Sequence, residues 1–341
     1  MRLNVTLRAQ APLSWREILG LGRAAPAEAW LALRGDPQLP GSRFGPSSLR
    51  QFMPRLGVAT WRGRLVVPRR TVIVNLFNHT PTPPAAGWSV RVTQVRDFRG
   101  RGLTYDSHNG TDFAVPPGTR VVTAAPGVVV SIRSEYNRGG LKLFIDHGDG
   151  LLTSSNHLAR VLVQPGDVVA RGQVVALSGY SGLDALVAFP WVAPHVHYNV
   201  SLGGVLVDPF AAQAGADPAG EQGAESLWRA PLPLPFAGEA ATAESALPTC
   251  FDPARVADLL ADLRDPGRRA ALAAIADPLH RAWELVIESF TYPTRFSSPT
   301  AGATLFAASP RRAVLDLPLS AAEFDGVVFA DDVGLRRAPA R

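Results

Sequence analysis

The sequence has 341 residues, of which 46% are hydrophobic and 18% charged. This composition supplies enough apolar side chains for a buried core and excludes an intrinsically disordered chain. A single cysteine, Cys250, excludes an intrachain disulfide framework and a zinc site built from several cysteines. Any metal must therefore be held by histidine and carboxylate side chains, and five of the seven histidines fall between positions 108 and 197.

The net charge of +5 is distributed unevenly. Residues 1–100 carry fifteen arginines against four acidic residues, so this third of the chain has a net charge of +11. Such a basic face can bind nucleic acid, anionic lipid or an acidic polymer. However, 33 of the 34 basic residues are arginine, with Lys142 the sole lysine, which indicates a compositional bias. We therefore expect a solvated arginine-rich surface and no nucleic-acid partner.

The first twenty residues do not have the pattern of an export signal, because Arg8, Arg16 and Glu17 interrupt the apolar residues. No stretch elsewhere reaches the roughly 18 to 20 apolar residues that a membrane helix needs. The sequence thus predicts no transmembrane segment and shows no export signal.

The N-terminal third is expected to be a mixed accessory region, residues 1–95. Residues 12–35 have helical spacing, and Ser14 with Glu17 fits a capping box. The β-rich runs 71–77 and 89–95 then predict strands.

Residues 96–210 are expected to form the main domain. Short β-rich runs alternate there with Gly, Pro, Asn and Asp turns, which is typical of an all-β sandwich or barrel. Residues 211–248, rich in Ala, Pro and Gly, have the composition of a linker. Residues 252–292 show helical periodicity after Asp252-Pro253, so we expect 249–341 to be an α-rich accessory region.

Two histidine motifs lie at the ends of the main domain. His195 and His197 fit a strand, where residues two positions apart share a face and can both reach one ion. His108 and Asp112, with Gly110 between them, can fold back onto one metal, since both side chains are good zinc ligands. Each motif alone also fits ordinary surface or turn residues. Together with His157 they supply enough distant ligands for a site that the fold assembles.

Residues 96–210 resemble the lysostaphin and LytM type of zinc endopeptidase, which cleaves peptide cross-links of bacterial cell walls. That family shows His-x-x-x-Asp near its start, a lone His-Leu in the middle and His-x-His near its end. The intervening sequence is also similar, in the strand-turn-strand of 117–130, the Gly-rich hairpin of 165–182 and the final Asp208-Pro209. The resemblance covers about a third of the chain.

The resemblance implies a barrel-sandwich hybrid core and assigns one zinc ion to His108, Asp112 and His197. It makes His157 and His195 the catalytic histidines, without deciding which is the general base. It also implies an extracytoplasmic location, in the periplasm or cell wall, although the sequence shows no export signal.

Two departures from the family pattern stand out. Asn199 takes the place of a glutamate near the final histidine, which removes a carboxylate from the surroundings of the metal. The segment 183–194 is unusually apolar, and could either form a wall of the cleft or dock on the accessory regions; docking is the favoured expectation.

Three alternatives remain at this point. The first is a non-hydrolytic scaffold or activator of wall hydrolases. Such family members typically lose one or more zinc or catalytic residues, whereas all five site residues are intact here. The second is a biotinyl- or lipoyl-type carrier, which needs a lysine at a turn tip, whereas Lys142 lies in a strand-like run. The third is a metalloendopeptidase for other proteins or peptides, because cleft loops set specificity. The prediction is a zinc metalloendopeptidase acting on peptidoglycan stem or bridge peptides, of unknown oligomeric state.

Overall fold

A large β-sheet forms the centre of the protein. This computed structural model describes residues 11–211, 226–238, 249–298, 305–306 and 313–336, and the elements named here belong to those ranges. The strands are β1 Gly35–Asp36, β2 Leu39–Pro40, β3 Arg70–Asn75, β4 Thr111–Ala114, β5 Arg120–Val122, β6 Gly127–Glu135, β7 Gly140–Asp146, β8 Leu151–Val161, β9 Val168–Val169, β10 Val174–Ser178, β11 His195–Leu202, β12 Val205–Val207 and β13 Gly326–Phe329.

The sheet is antiparallel except at one edge, where β13 pairs with β3 in parallel. Strand β11 lies in the middle, between β4 and β8, and β3 pairs with the outer side of β4. The predicted mainly antiparallel β core is confirmed. The sheet also includes β3 from region 1–95 and β13 from region 249–341. The domain boundaries at residues 95, 210 and 249 remain a prediction.

The strand predicted at 89–95 is wrong. Of these residues only Ser89 makes a β-bridge, with Arg43. The buried Asp106 carboxylate accepts the backbone N–H groups of Thr93 and Gln94, at 2.7 and 3.0 Å. Because a side chain occupies these donors, they cannot join a strand ladder.

Seven helices flank the sheet within the described ranges. They are α1 Trp15–Leu19, α2 Ala25–Arg34, α3 Pro54–Trp61, α4 Asp184–Val187, α5 Pro253–Asp262, α6 Pro266–Ala273 and α7 Pro278–Thr291. The predicted capping box of Ser14 and Glu17 is present at α1, and Gly20, with a φ of 67°, ends that helix and divides the helical run 12–35. None of these helices combines the length and hydropathy that a membrane span requires.

The C-terminal helices share one start signal. Asp252, Asp265 and Asp277 each cap a helix whose first residue is proline, the position where proline costs no hydrogen bond. The predicted helical run 252–292 is therefore present as three helices. Trp283 of α7 is fully buried and donates its indole N–H to Asp146 of β7 at 2.9 Å, which fixes the helices to the sheet.

Part of the segment predicted as a linker, 211–248, packs into the sheet core. Leu227 and Trp228 are buried there, and the Trp228 ring lies against Tyr198 of β11 with ring centroids 6.0 Å apart. A single pair of apolar residues in an Ala- and Pro-rich segment carries no periodicity, so composition alone predicted no packing for it.

A histidine–carboxylate pair fastens the loop after β3 to the end of the sheet. His79 Nε2 lies 2.8 Å from Asp208 Oδ2, and this hydrogen bond raises the pKa of His79. The pair therefore contributes fully below the unfolded-state pKa of about 6.5, and the contribution is lost as pH rises through the raised value. We expect wild-type Tm to exceed that of His79→Gln by roughly 1–2 °C at pH 5.5 and by less at pH 9, measured by calorimetry. A difference independent of pH would contradict this.

Candidate metal centre and active site

A row of polar side chains crosses four adjacent strands on one face of the sheet. The register pairs Asn75 of β3 with Asp112 of β4, Asp112 with His197 of β11, and His197 with Asn156 of β8. Directly paired residues point to the same face, and His195 shares that face because it lies two positions before His197. Strand pairing alone thus assembles most of the site.

Three acceptor atoms form a tight triangle in this row and the turn before it. His108 Nε2 lies 3.0 Å from Asp112 Oδ1 and 3.1 Å from His197 Nδ1, and the last two atoms are 2.7 Å apart. All three side chains are buried. The structure therefore brings together the three residues predicted as metal ligands.

The turn before β4 needs its glycine. A Cβ atom on Gly110 would lie 2.6 Å from the carbonyl oxygen of Tyr198 and 2.8 Å from Nε2 of His197. Only a residue without a side chain lets the turn run this close to β11. The close approach is what allows His108 to reach the triangle.

Hydrogen bonds from the protein interior orient two of the ligands. The Nδ1–H of His108 donates to the carbonyl oxygen of Leu76 at 2.7 Å, which leaves Nε2 as a lone-pair acceptor. This acceptor faces Oδ1 of Asp112, while Oδ2 of that carboxylate accepts the side-chain N–H of Asn75 at 2.8 Å. His108 Nε2 and Asp112 Oδ1 lie 3.0 Å apart, an arrangement that a cation bound between them would stabilise.

The charges of the ligands suit a bound cation. Burial by itself would raise the pKa of Asp112, but the surrounding His108, His195 and His197 lower it well below its usual value. Burial lowers the pKa of His197, against the opposing effect of Asp112. At neutral pH the site therefore offers a carboxylate and a neutral imidazole, the protonation states in which these groups bind metals.

The donor set fits one zinc ion. Two imidazole nitrogens and one carboxylate oxygen are typical ligands of zinc sites with three protein ligands. Ligand atoms about 2.0–2.2 Å from a tetrahedral ion lie roughly 3.3 Å apart, and the triangle of His108, Asp112 and His197 is slightly tighter than that. A small outward movement of the side chains would accommodate the ion.

The two predicted catalytic histidines lie side by side next to the triangle. The ring centroids of His157 and His195 are 4.8 Å apart, and His195 Nε2 lies 3.7 Å from Asp112 Oδ1. Their Nδ1–H groups donate to the carbonyl oxygens of Ser181 and Ala193, at 2.8 and 2.9 Å. Each Nε2 atom thus presents a lone pair to the site, and that of His157 lies 3.5 Å from Asp184 Oδ2.

The backbone of His157 is in the left-handed region, with a φ of 59°. The pairing of β8 with β7 and β10 changes register around this residue, and its N–H donates to the carbonyl oxygen of Gly139. Such bulges redirect a side chain out of the regular alternation. Burial, followed by the neighbouring His195, lowers the pKa of His157 to about 4, so its imidazole is neutral at physiological pH.

A groove of about 800 Å³ passes the site and is shaped by three parts of the chain. His157 and His197 line it from the sheet. Trp88 comes from region 1–95, Asp184 from the segment after β10, and Phe290 from α7. The regions predicted as accessory therefore contribute walls of the groove.

The apolar segment 183–194 packs against the N-terminal region and also reaches the site. The rings of Phe189 and Trp61 lie 4.9 Å apart, and the N–H of Met53 donates to the carbonyl oxygen of Trp191 at 3.1 Å. At the other end of the segment, Asp184 Oδ2 lies 3.5 Å from His157 Nε2. The segment thus docks on the N-terminal region at one end and reaches the site at the other, so each of the two expectations describes part of it.

Asn199 connects the turn of His108 to strand β8. Its Nδ2 donates to the carbonyl oxygen of Asn109 at 2.8 Å, and its Oδ1 accepts from Asn156 at 2.8 Å and from Ser154 at 3.3 Å. A carboxylate could not donate to the Asn109 carbonyl. The amide thus supplies a donor that the family's usual glutamate lacks.

Two residues behind the metal ligands were not predicted from the sequence. Asn75 holds Asp112, and the Nη1 of Arg336 in turn donates to Asn75 Oδ1 at 2.7 Å and to the carbonyl oxygen of Val74 at 3.0 Å. Burial lowers the pKa of Arg336 to about 10, so it remains charged at neutral pH. The one sequence feature that could have indicated Asn75 was its polar amide within the apolar run 71–77.

We expect Asn75→Leu to raise the Kd for zinc by about 10- to 100-fold, because this change removes the donor that orients Asp112 while keeping a similar volume. Competition with a chromophoric chelator measures the affinity. A lowered Tm with an unchanged zinc Kd would show that Asn75 serves only the packing of the sheet.

The remaining histidines of the described chain lie apart from the triangle. His147 is buried and bonds the carbonyl oxygen of Pro126 through Nδ1 and the hydroxyl of Thr153 through Nε2, both at 2.8 Å, which indicates a structural role. His280 lies on α7, where its half-buried side chain has Nε2 3.7 Å from Oε1 of Glu284.

Comparison with known proteins gives one family and several relatives. Residues 106–209, which include all five predicted site residues, match Peptidase family M23. The chain is 40% identical over 105 residues to peptidoglycan DD-endopeptidase ShyA of Vibrio cholerae, covering 31% of this chain and 23% of the relative. An uncharacterized metalloprotease of Haemophilus influenzae is 31% identical over 118 residues, 35% of this chain and 23% of that protein. The chain thus spans less than a quarter of these relatives' length.

Solved structures with similarity to this chain include a catalytic domain and a peptidase. A catalytic-domain variant of the prophage-encoded M23 protein EnpA from Enterococcus faecalis is 27% identical, with 43% of this chain and 92% of that chain covered and a TM-score of 0.31. A zinc containing peptidase from Vibrio cholerae is 28% identical, with 41% and 38% covered and a TM-score of 0.28.

Proposed function

We propose, since residues 106–209 form a domain of Peptidase family M23, a family of zinc metallopeptidases, that this chain hydrolyses peptide bonds in peptidoglycan stem or bridge peptides. The observation that carries the proposal is the buried triangle of His108, Asp112 and His197 beside two imidazoles that present Nε2 lone pairs to the site. A scaffold has no need for either feature.

In this proposal, His108 Nε2, Asp112 Oδ1 and His197 Nδ1 hold one zinc ion. When bound, zinc supplies a Lewis acid that polarises a peptide carbonyl and lowers the pKa of water to about 7. Asn75 and Leu76 keep the first two ligand atoms aimed at the ion through their hydrogen bonds. The anionic Asp112 offsets part of the charge of the ion.

His157 and His195 handle protons in this mechanism. Each has its Nδ1–H held by a backbone carbonyl, so each presents Nε2 to the substrate side of the site. One imidazole accepts the proton of the attacking water at Nε2, and the same Nε2–H then donates that proton to the leaving amine. The other imidazole donates to the developing oxyanion once its own Nε2 is protonated. The lowered pKa of His157 keeps that ring ready to accept a proton.

The substrate class comes from the relatives and from the groove. ShyA, a peptidoglycan DD-endopeptidase, shares 40% identity with the segment that contains all five site residues. The groove of about 800 Å³ suits an extended peptide that passes His157 and His197. An extracytoplasmic location is part of the proposal, since that is where the wall polymer is found.

The test incubates the purified chain with peptidoglycan sacculi, with and without a chelator, and measures new free amines. We expect amine release that the chelator abolishes and added zinc restores. No release from protein with one bound zinc per chain would overturn the wall-hydrolase proposal. Parallel digestion of unstructured casein separates a wall enzyme from a general metalloendopeptidase.

A further inference from the structure

Arg138 lies beside the active site and has no carboxylate partner among the residues that the structure describes. It occupies the turn between β6 and β7, directly before Gly139, whose carbonyl oxygen accepts the N–H of His157. Within the described residues its guanidinium makes one recorded hydrogen bond, from Nη1 to the carbonyl oxygen of Asn137 at 3.3 Å. Burial lowers the pKa of Arg138, so the turn holds a partly desolvated cation.

The neighbouring cations are satisfied differently. Three nearby cations each form an ion pair with a glutamate of β6 or α7. These cations are Arg133, Lys142 and Arg295. Glu135 and Glu288 are thus already engaged by other residues. A guanidinium that remains unpaired among them has its planar fork of donors available for a ligand.

Arg138 lies where two cavities meet. The groove of about 800 Å³ that contains His157 and His197 shares Arg138, Trp88 and Phe290 with a second cavity of about 1150 Å³. The guanidinium carbon is 5.9 Å from the centroid of the Trp88 ring, which forms one side of its surroundings. A peptide that extends from the catalytic histidines along the groove therefore passes Arg138.

The catalytic end of the same groove has an unpaired acceptor. Asn156 Oδ1 is buried without a hydrogen-bond partner, while its Nδ2 donates to Asn199. Asn156 pairs with the metal-ligand candidate His197 across the strands. The groove thus offers an acceptor for a peptide N–H near the site and a fork of donors for an anion further along.

We propose that Arg138 binds a free carboxylate of the peptide substrate, located within a few residues of the cleaved bond. This subsite rests on the proposed peptidase function and gives it a preference for peptides that carry a free carboxylate over the same peptides as amides. Arg138 acts in substrate binding and not in bond cleavage.

The test compares two cross-linked stem-peptide dimers that differ only in free or amidated carboxylates. We expect the wild-type chain to have a KM about 10- to 100-fold lower for the acid than for the amide, the usual range for a hydrogen bond to a charged group. Arg138→Gln removes this preference by raising KM for the acid alone, and Arg138→Lys restores part of it. Arg255→Gln, an exposed arginine on α5, is the charge-matched control and keeps the preference.

Equal KM values for acid and amide with the wild-type chain would overturn the subsite, whether or not Arg138→Gln folds. So would an equal loss on both peptides in a folded Arg138→Gln. The Kd of both peptides for His157→Ala repeats the comparison without turnover. Absence of cleavage by the wild-type chain would therefore count against the proposed function, while the Kd values still decide the subsite.

Discussion

Replacing His108 with alanine is expected to abolish stoichiometric zinc binding and to lower kcat/KM for wall peptides by more than about 1000-fold. His108 is fully buried, and its Nε2 lies within 3.1 Å of the two other ligand atoms. No other side chain supplies a nitrogen at this corner of the triangle among the described residues. Elemental analysis after dialysis measures zinc per chain, and single-substrate kinetics measure the activity.

His147→Ala is the matched control for the loss of a buried histidine. His147 is as inaccessible as His108 and makes two side-chain hydrogen bonds, yet it lies outside the triangle. We expect this variant to lose stability and to keep one zinc per chain. If His108→Ala also kept a full equivalent of zinc, the ligand assignment would be wrong.

Replacing His157 is expected to lower kcat by about 100- to 10,000-fold while zinc content stays at one per chain. The residue contributes an Nε2 lone pair next to His195 and is not part of the triangle. Removal of a proton-transfer group affects the chemical step more than substrate binding, so KM should change little. Loss of zinc together with activity would instead make His157 a ligand.

The left-handed backbone of His157 calls for a second variant. A φ of 59° costs an alanine about 1–2 kcal/mol, whereas asparagine tolerates this conformation. His157→Asn therefore removes the imidazole with less effect on folding. Equal losses of kcat in the two variants would assign the effect to the imidazole, and retained activity in the folded asparagine variant would exclude a catalytic role.

The sequence was sufficient to predict the β core and to nominate the five site residues, because their motifs are local. His195 and His197 lie two apart in a strand, and His108 and Asp112 lie four apart around a glycine. The alternation of a strand and the reach of a short turn then limit where such side chains can point. The family resemblance added the order of the motifs along the chain, the assignment of His108, Asp112 and His197 as ligands, and the roles of the other two histidines.

The residues behind the site could not be predicted, because they depend on pairings between distant segments. Asn75 reaches Asp112 only through the register of β3 on β4, and Arg336 reaches Asn75 from 261 positions further along the chain. Arg138 is one arginine among 33, and what distinguishes it is its place in the groove together with the lack of an ion pair among the described residues. The false strand at 89–95 has a similar cause, since the carboxylate of Asp106 that engages its backbone lies outside the run.

The parallel edge formed by β13 and β3 changes what counts as the minimal folded unit. The segment 106–209 that matches the family contains all five site residues, but cutting the chain there would leave β4 as an open edge strand. Open edges invite pairing with other chains, and the donor to Asp112 would be lost with β3. We therefore expect metal affinity to depend on the assembled chain, because a region outside the matched segment supplies a hydrogen-bond donor to the candidate ligand Asp112.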